Sequence, residues 1–437
     1  MFFRSVRHLP VRLCIIVLSV VALAGCAGRK QPVEDGVVTL TFYNYATPEF
    51  LKLYHEDLIP AFERAHPNIK IVMNESLGDQ GYDAKLLTLI AGHIAPDLIH
   101  VTQQNFPFYA AKDVLLPLDD FIREDQAFDE SRYYPQVLDG LRHQDRLLGL
   151  PSDFSSIVML YNQDLFDKYG VPYPKPDWTW EDYLETARKL TIDVDGDGHT
   201  DIFGTANPNA YNRWPAWVWM NGGEIMNEDR TRCTMDMPES VAGLQFYVDL
   251  SAKYHVAPTP GQSLGMDFED LFASRNVAMI ADSRYAYKRF LRMRGLRFRW
   301  DLAHMPKGKT QATTFIWGGN CILKSTKYPK EAWEFLKFLS GPEAARINLE
   351  AGNALPAWRE AAEDAVMNPT DPKVPKHDIY YLESIAYGRT APFPPQFAEY
   401  NAAMTHLQDS YLGLRTVEDA CKLFTNEVNQ ALAGNVF

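Results

Sequence analysis

Val37-Val38-Thr39-Leu40-Thr41-Phe42-Tyr43 is β-branched or aromatic at every position but Leu40, which reads as a strand. Downstream, Phe50, Leu51, Tyr54, Leu58 and Phe62 recur at helical spacing. Pro60 must kink that helix or begin a second piece of it, and His66-Pro67-Asn68 ends it. Ile69-Lys70-Ile71-Val72-Met73 is a second strand. Tyr82 to Ala91 follows as a helix, with Leu86, Leu87, Leu89 and Ile90 as its apolar face. Asp97-Leu98-Ile99-His100-Val101 is a third strand. Strand–helix–strand–helix–strand implies an α/β fold with an open, mostly parallel sheet. Ligands on such sheets sit beyond the carboxyl ends of the strands. Those ends are Tyr43-Asn44-Tyr45, Asn74-Glu75-Ser76 and Thr102-Gln103-Gln104, all polar or aromatic. Tyr43, Asn44, Tyr45 and Gln103 are therefore candidate ligand contacts.

Towards the carboxyl terminus, a second region opens near Gly149-Leu150-Pro151. Ser156 to Tyr161 reads as a strand and Gln163 to Tyr169 as a short helix. After the breaker cluster from Pro172 to Pro176, Thr179 caps the next helix with Asp182 in the capping-box position. Trp180, Tyr183, Leu184, Ala187 and Leu190 form its buried face. Glu331 to Leu339 is another amphipathic helix, ended by Ser340-Gly341-Pro342. The chain shows neither an internal repeat nor a low-complexity run.

Towards the amino terminus, residues 26–36 are small, polar and breaker-rich, and read as a flexible tether. Before them, Arg4, Arg7 and Arg12 precede a nearly all-aliphatic run from Leu13 to Leu23. This is the layout of a secretory signal, residues 1–25. As a transmembrane anchor the run falls short of the ~20 residues a bilayer requires. Leu23-Ala24-Gly25-Cys26 resembles a bacterial lipobox. That resemblance implies cleavage before Cys26, acylation of its thiol, and a protein tethered by lipid outside the cytoplasmic membrane, on the periplasmic side or the cell surface.

Loss of 25 residues would leave 412 of 437, and loss of three arginines would take the formal charge from −13 to −16. An acidic balance of this kind argues against nucleic acid. A basic stretch from Lys288 to Arg299 interleaves Phe290, Leu291 and Met293, and reads as a solvated helix face for an acidic partner. Cys233, Cys321 and Cys421 remain in the mature chain, far apart and without CxxC spacing. One disulfide and three buried thiols are both compatible with that spacing. A 412-residue chain suggests two or three domains.

Several segments resemble family 1 extracellular solute-binding proteins. Leu58-Ile59-Pro60-Ala61-Phe62-Glu63-Arg64-Ala65-His66-Pro67-Asn68-Ile69-Lys70-Ile71 is similar to the opening motif of that family. Ala95-Pro96-Asp97-Leu98, Leu115-Leu116-Pro117-Leu118-Asp119, and Tyr161-Asn162-Gln163-Asp164-Leu165-Phe166 with Trp178-Thr179-Trp180 follow in order. Phe272-Ala273-Ser274-Arg275-Asn276-Val277-Ala278-Met279 departs from the pattern, since Arg275 replaces the usual glycine. Ala332-Trp333-Glu334-Phe335-Leu336-Lys337-Phe338-Leu339 completes the set. The resemblance implies a two-lobe, type II periplasmic-binding-protein-like α/β fold, each lobe a mostly parallel sheet flanked by helices. It places the first lobe at 37–150, with 302–345 returning to it. The second lobe is 151–301, with 346–437 mostly returning. It also implies a monomeric sugar receptor that closes about a hinge and delivers its ligand to the permease subunits of an ABC importer, with no cofactor required.

A pyranose offers an apolar C–H face to an aromatic ring, and a hydroxyl rim to planar donors and acceptors. Trp214 and Trp217, three apart, would share a helical face; Trp219 would not. Trp317-Gly318-Gly319 follows a strand from Thr313 to Ile316, where glycines let a ligand approach the backbone, and in the family this segment borders the cleft. Asp282 and Arg284 follow the Val277–Ile280 strand, and Asp153-Phe154 lies just past an interlobe crossing. These residues join the candidate set, whereas Trp180 and Trp333 read as core.

Asp193, Asp195, Asp197, His199 and Asp201 share a loop with Gly198 at its sixth position, which suits an oxygen-seeking cation such as structural calcium. Gly204 stands where a twelfth-position carboxylate is usual, and a polar turn without metal is the alternative. HExxH, GxSxG and Rossmann glycine motifs are absent. Gly308-Lys309-Thr310 lacks the earlier glycine of a phosphate loop, since Ala303 stands there. The sequence thus points to a receptor rather than an enzyme. A glycoside hydrolase built on some pair of the 56 carboxylates and a calcium-stiffened scaffold remain as alternatives.

Overall fold

Among the described residues the strands are β1 (Val38–Ala46), β2 (Ile69–Leu77), β3 (Leu98–Thr102), β4 (Arg142–His143), β5 (Arg146–Leu147), β6 (Leu150–Ser156), β7 (Val158–Asn162), β8 (Met279–Asp282), β9 (Trp300–Ala303), β10 (Thr313–Ile322), β11 (Leu355–Pro356) and β12 (Gly388–Arg389). The computed structural model describes residues 36–434 except 47, 78–80, 208–211, 264, 287–289, 291–295, 353 and 370–373. The signal, Cys26, the tether to residue 35, and Lys288, Arg289, Arg292 and Arg294 of the basic stretch therefore lie outside the described residues.

β1 alternates as a half-buried strand must, with Leu40 and Phe42 fully buried and Thr39 and Thr41 turned outward. It pairs in parallel with both β2 and β3. The helical connection from β1 to β2 runs Pro48–Leu53, a π-turn at Tyr54–Leu58, then Ile59–Ala65. Pro60 sits in the first turn of that last piece, where no N–H is needed. Phe62 packs its ring 4.8 Å from Phe335 on the helix Pro329–Leu339, which covers this sheet. Leu86 is buried as the periodicity predicts, but Leu87 is exposed.

The first sheet runs β11-β6-β10-β3-β1-β2, with β12 beside β10. It is parallel among β1, β2 and β3 and between β10 and β12; β10 is antiparallel to both β3 and β6. The second sheet, β8-β7-β9, is antiparallel throughout. The expectation of mostly parallel sheets is corrected accordingly to one mixed and one antiparallel sheet. The reason lies in the crossings: β6 leaves for the second lobe at Ser156, β10 arrives from it at Thr313, and strands running opposite ways pair antiparallel.

Two α/β lobes result. The chain crosses at Ile157, between β9 and β10, and after β12. The first crossing therefore falls after β6 rather than near residue 150, and Ala303, Met305 and Ala312 are buried in the second core, so 302–312 stays with the second lobe. Ala357, Ala362, Val366, Tyr381 and Ile385 are buried in the first core, so 346–387 remains there as well. Ala391 and Phe393 join the second core, and the closing helices Phe397–Tyr411 and Val417–Leu432 pack there on Pro238–Ala252.

The second lobe's core is aromatic. Trp217 lies 5.5 Å from Tyr247 and from Trp180, and 5.4 Å from Tyr183. The Thr179–Asp182 capping box forms as read, with both reciprocal hydrogen bonds present. Arg275, standing where glycine is usual, takes φ of 70°, a conformation glycine adopts freely. Cys233, Cys321 and Cys421 are free buried thiols. Burial pushes Cys233 up to about 11 and Cys421 up to about 12.

Candidate ligand cleft

The carboxyl ends of β1 and β3, the facing stretch of β6 and β10, and the segment after β8 converge on a chamber of about 520 Å³. The first lobe contributes Asn44, Gln103, Asp153 and Gly318; the second contributes Arg213, Asp282 and Tyr285. A larger chamber of about 880 Å³ lies beside it, walled by Trp219, Glu224, Arg389 and Arg142 among others. Gln103 and Trp317 line both chambers and so form their common wall.

Glycines make this wall. A methyl group built on Gly140 would lie 2.6 Å from the indole Nε1 of Trp317, so only glycine lets that ring lie where it does. The far edge of Trp317 meets Phe106 edge-on at 5.9 Å. A methyl group on Gly318 would meet Asp153 Oδ1 and His100 Cε1 at 3.3 Å, which shows how closely β10 abuts both side chains.

Polar groups in the smaller chamber are preorganised. The Tyr285 hydroxyl donates to Asp153 across the two lobes. His100 is held by Asn320 Oδ1 at 3.3 Å. Burial lowers its pKa, opposed by the Asp153 carboxylate. Burial, reinforced by Asp153, holds the Tyr54 hydroxyl well above its usual value. Arg213 and Asp282 form a buried ion pair, with the Arg213 guanidinium 5.3 Å over the Phe268 ring. In the larger chamber Arg389 forks onto Glu224 at 3.0 and 2.6 Å and lies 4.8 Å over Trp219.

The structure brings together Asn44, Gln103, Asp153, Asp282, Trp317 and Gly318. Others of the sequence candidates lie elsewhere. Tyr43 is buried against Tyr82 at 4.6 Å, and Phe154 is buried between Tyr134 and Phe315. Trp214 and Trp217 are core, because two tryptophans on one helical face serve packing. Trp219, out of phase with them, is the one that reaches the cleft. Arg284 is clamped by Asp378 at 3.0–3.2 Å, and Gly319 packs on Leu141 and the Leu150 carbonyl. Tyr45 stands opposite Ser76 on β1, with its side chain outside the described residues. The roles of His100, Arg213, Tyr285 and Arg389 arise from partners distant in sequence.

Apart from the cleft, the carboxylates of Asp193, Asp195 and Asp197 lie within 4.8 Å of one another on an exposed loop. The Gly198 and Gly196 N–H groups donate to Asp193 at 2.9 and 2.7 Å and, Gly198 foremost, hold its carboxyl below the usual range. Asp201 turns instead to the Val194 N–H, and His199 contributes its backbone N–H to Asp197. The converging group is thus the three aspartates, and an oxygen-seeking cation is compatible with it.

Residues 47–346 match the family described as bacterial extracellular solute-binding protein. The chain belongs to that family. As a solute-binding protein it captures rather than transforms, and the hydrolase alternative lapses. An arabinooligosaccharide-binding protein of Halalkalibacterium halodurans is 26% identical over 325 residues, covering 72% of this chain and 70% of the relative. An ABC substrate-binding protein of Listeria monocytogenes, solved in complex with cycloalternan, superposes with a TM-score of 0.79 at 30% identity. That match covers 91% of this solute-binding protein and 99% of the Listeria chain. A solute-binding protein of Thermotoga lettingae bound to α-D-tagatose shares the fold, with a TM-score of 0.74 at 21% identity over 90% of this chain and 100% of that one.

Proposed function

We propose that this solute-binding protein is the carbohydrate receptor of an ABC importer, taking a sugar or oligosaccharide between its lobes. The observation that carries this reading is Trp317, an indole in the common wall of both chambers, surrounded by the planar polar groups of Gln103, Asp153 and Arg213. An aromatic face with in-plane donors and acceptors is what a pyranose requires. The sugars named for the relatives support it. Closure about the three crossings would populate the closed form mainly with ligand, and the permease would sense that difference. The receptor acts as a monomer without nucleic acid.

A panel of mono- and oligosaccharides tests this. At least one should raise the melting temperature and bind saturably in calorimetry without product formation. Absence of any stabilisation across neutral, acidic and amino sugars would sink the carbohydrate reading.

The amino-terminal reading adds a lipid anchor at Cys26, holding the receptor on the outer side of the cytoplasmic membrane. Cys26→Ser should leave uncleaved or soluble protein. Detergent-phase partitioning of a cleaved Cys26→Ser protein would refute the anchor. Asp193, Asp195 and Asp197 are proposed to hold structural calcium, with backbone N–H groups already ordering the loop. Calcium should then raise the melting temperature of the wild type above that in chelator, and Asp195→Asn with Asp197→Asn should abolish the difference. Equal melting of the wild type in both conditions makes the loop an ordinary turn.

A further inference from the structure

Buried polar side chains in folded proteins nearly always find hydrogen-bond partners, so clustered exceptions call for an explanation. Such exceptions occur in the aromatic core too, at Nε1 of Trp180, Trp214 and Trp217, but along the cleft they form a series that lines both chambers. In the smaller chamber, Nε and Nη1 of Arg213 have no partner among the described residues, although the residue is only 5% exposed. In the common wall, Oε1 and Nε2 of Gln103 and Nε1 of Trp317 are likewise unpartnered, each residue being 3% exposed. In the larger chamber, the same holds for Nε1 of Trp219, which is 2% exposed. Arg213 lines only the smaller chamber and Trp219 only the larger.

From this series we infer that the ligand is an oligosaccharide that threads both chambers past Trp317, with Gln103 as the residue that reads the unit at the junction. The inference rests on the carbohydrate reading above and narrows it. A monosaccharide held in one chamber leaves the buried donors of the other without partners, and so forgoes the hydrogen bonds that a longer ligand would gain there. A chain of two or more units supplies hydroxyls to both. Gln103 suits the junction because its amide presents one acceptor and two donors in a single plane, which match neighbouring hydroxyls on one ring. The donors on either side fix direction as well as length. Arg213 offers a charged fork at one end, held in orientation by Asp282, while Trp219 offers a single N–H at the other, its ring held beneath Arg389.

The test is calorimetric titration of the wild type with linear arabino- and malto-oligosaccharides of one to six units. Trp219→Phe and Gln103→Leu are titrated alongside, and melting curves establish that both variants fold. Trp219→Phe keeps a ring beneath Arg389 and removes only the N–H. In one of the two series, affinity should rise at least tenfold from the monosaccharide to the length that fills both chambers, then level off. Gln103→Leu should weaken every length by tenfold or more. Trp219→Phe should weaken the longer chains about fivefold and leave the shortest unchanged. Monosaccharide binding as tight as any longer chain, with Trp219→Phe indistinguishable from wild type, overturns the two-chamber ligand and leaves the carbohydrate reading intact. Failure of every sugar in the wider panel to bind the folded wild type removes both.

Discussion

Trp217→Ala is expected to destabilise the protein by ~3–5 kcal/mol, the range for truncating a large aromatic in a packed core. The ring is 1% exposed and touches Trp180, Tyr183, Phe246 and Tyr247 together. The local backbone is tight: a methyl group on Gly243 would sit 2.7 Å from the Trp217 carbonyl oxygen, so the helices Trp214–Met220 and Pro238–Ala252 have little room to collapse into the void. A cavity that cannot close retains its full cost. Denaturant titration should show a lower midpoint, whereas sugar affinity measured below the transition should change little, because Trp217 lines neither chamber. A Trp217→Ala protein that melts like wild type but no longer binds would return this residue to the cleft.

Trp317→Ala should do its damage to binding. Removal of an aromatic anchor from the centre of a site typically costs ~2 kcal/mol or more, roughly thirtyfold in affinity. The effect here should be at least that, since the ring bounds both chambers and its loss would merge them. Because Trp317 also belongs to the first core, some destabilisation accompanies the loss. Trp317→Phe separates the two contributions, keeping a ring over Gly140 while deleting the indole N–H. Trp333→Ala serves as the contrast. That residue is buried on the helix Pro329–Leu339 with its N–H on Asp125 at 3.1 Å, so its truncation should lower stability and leave affinity unchanged. Normal binding by a folded Trp317→Ala protein would remove Trp317 from the site.

What the sequence made legible follows the range of the interactions involved. β1, β2, β3 and their helices are encoded locally, in β-branched runs and apolar periodicity. The rule that ligands gather beyond strand ends pointed to Asn44, Gln103 and Asp282, and all three line the smaller chamber. The direction of β10 was not legible, because antiparallel pairing with β3 and β6 is decided by where the chain crosses between lobes. Nor was Arg284: its position after a strand suggests a ligand contact, and only Asp378, 94 residues away, shows that it is consumed by an ion pair. Trp214 and Trp217 went to the core for a different reason. A shared helical face was read as a binding face, but burial makes the same demand, and the residue out of register reaches the cleft.

The position of β10 between β3 and β6 has a consequence for how this polypeptide is made. A ribosome releases the chain from its amino terminus, and the middle strand of the first sheet ends at Ile322 of 437 residues. Until that point has emerged, β3 and β6 have open edges where β10 will later insert, and the sheet cannot close. Pairings between residues this far apart also form slowly, because the intervening loop must be ordered first. The first sheet therefore cannot be completed through most of the chain's synthesis. For a polypeptide read as carrying an export signal, that delay keeps it thin enough to thread a translocation pore before its fold locks.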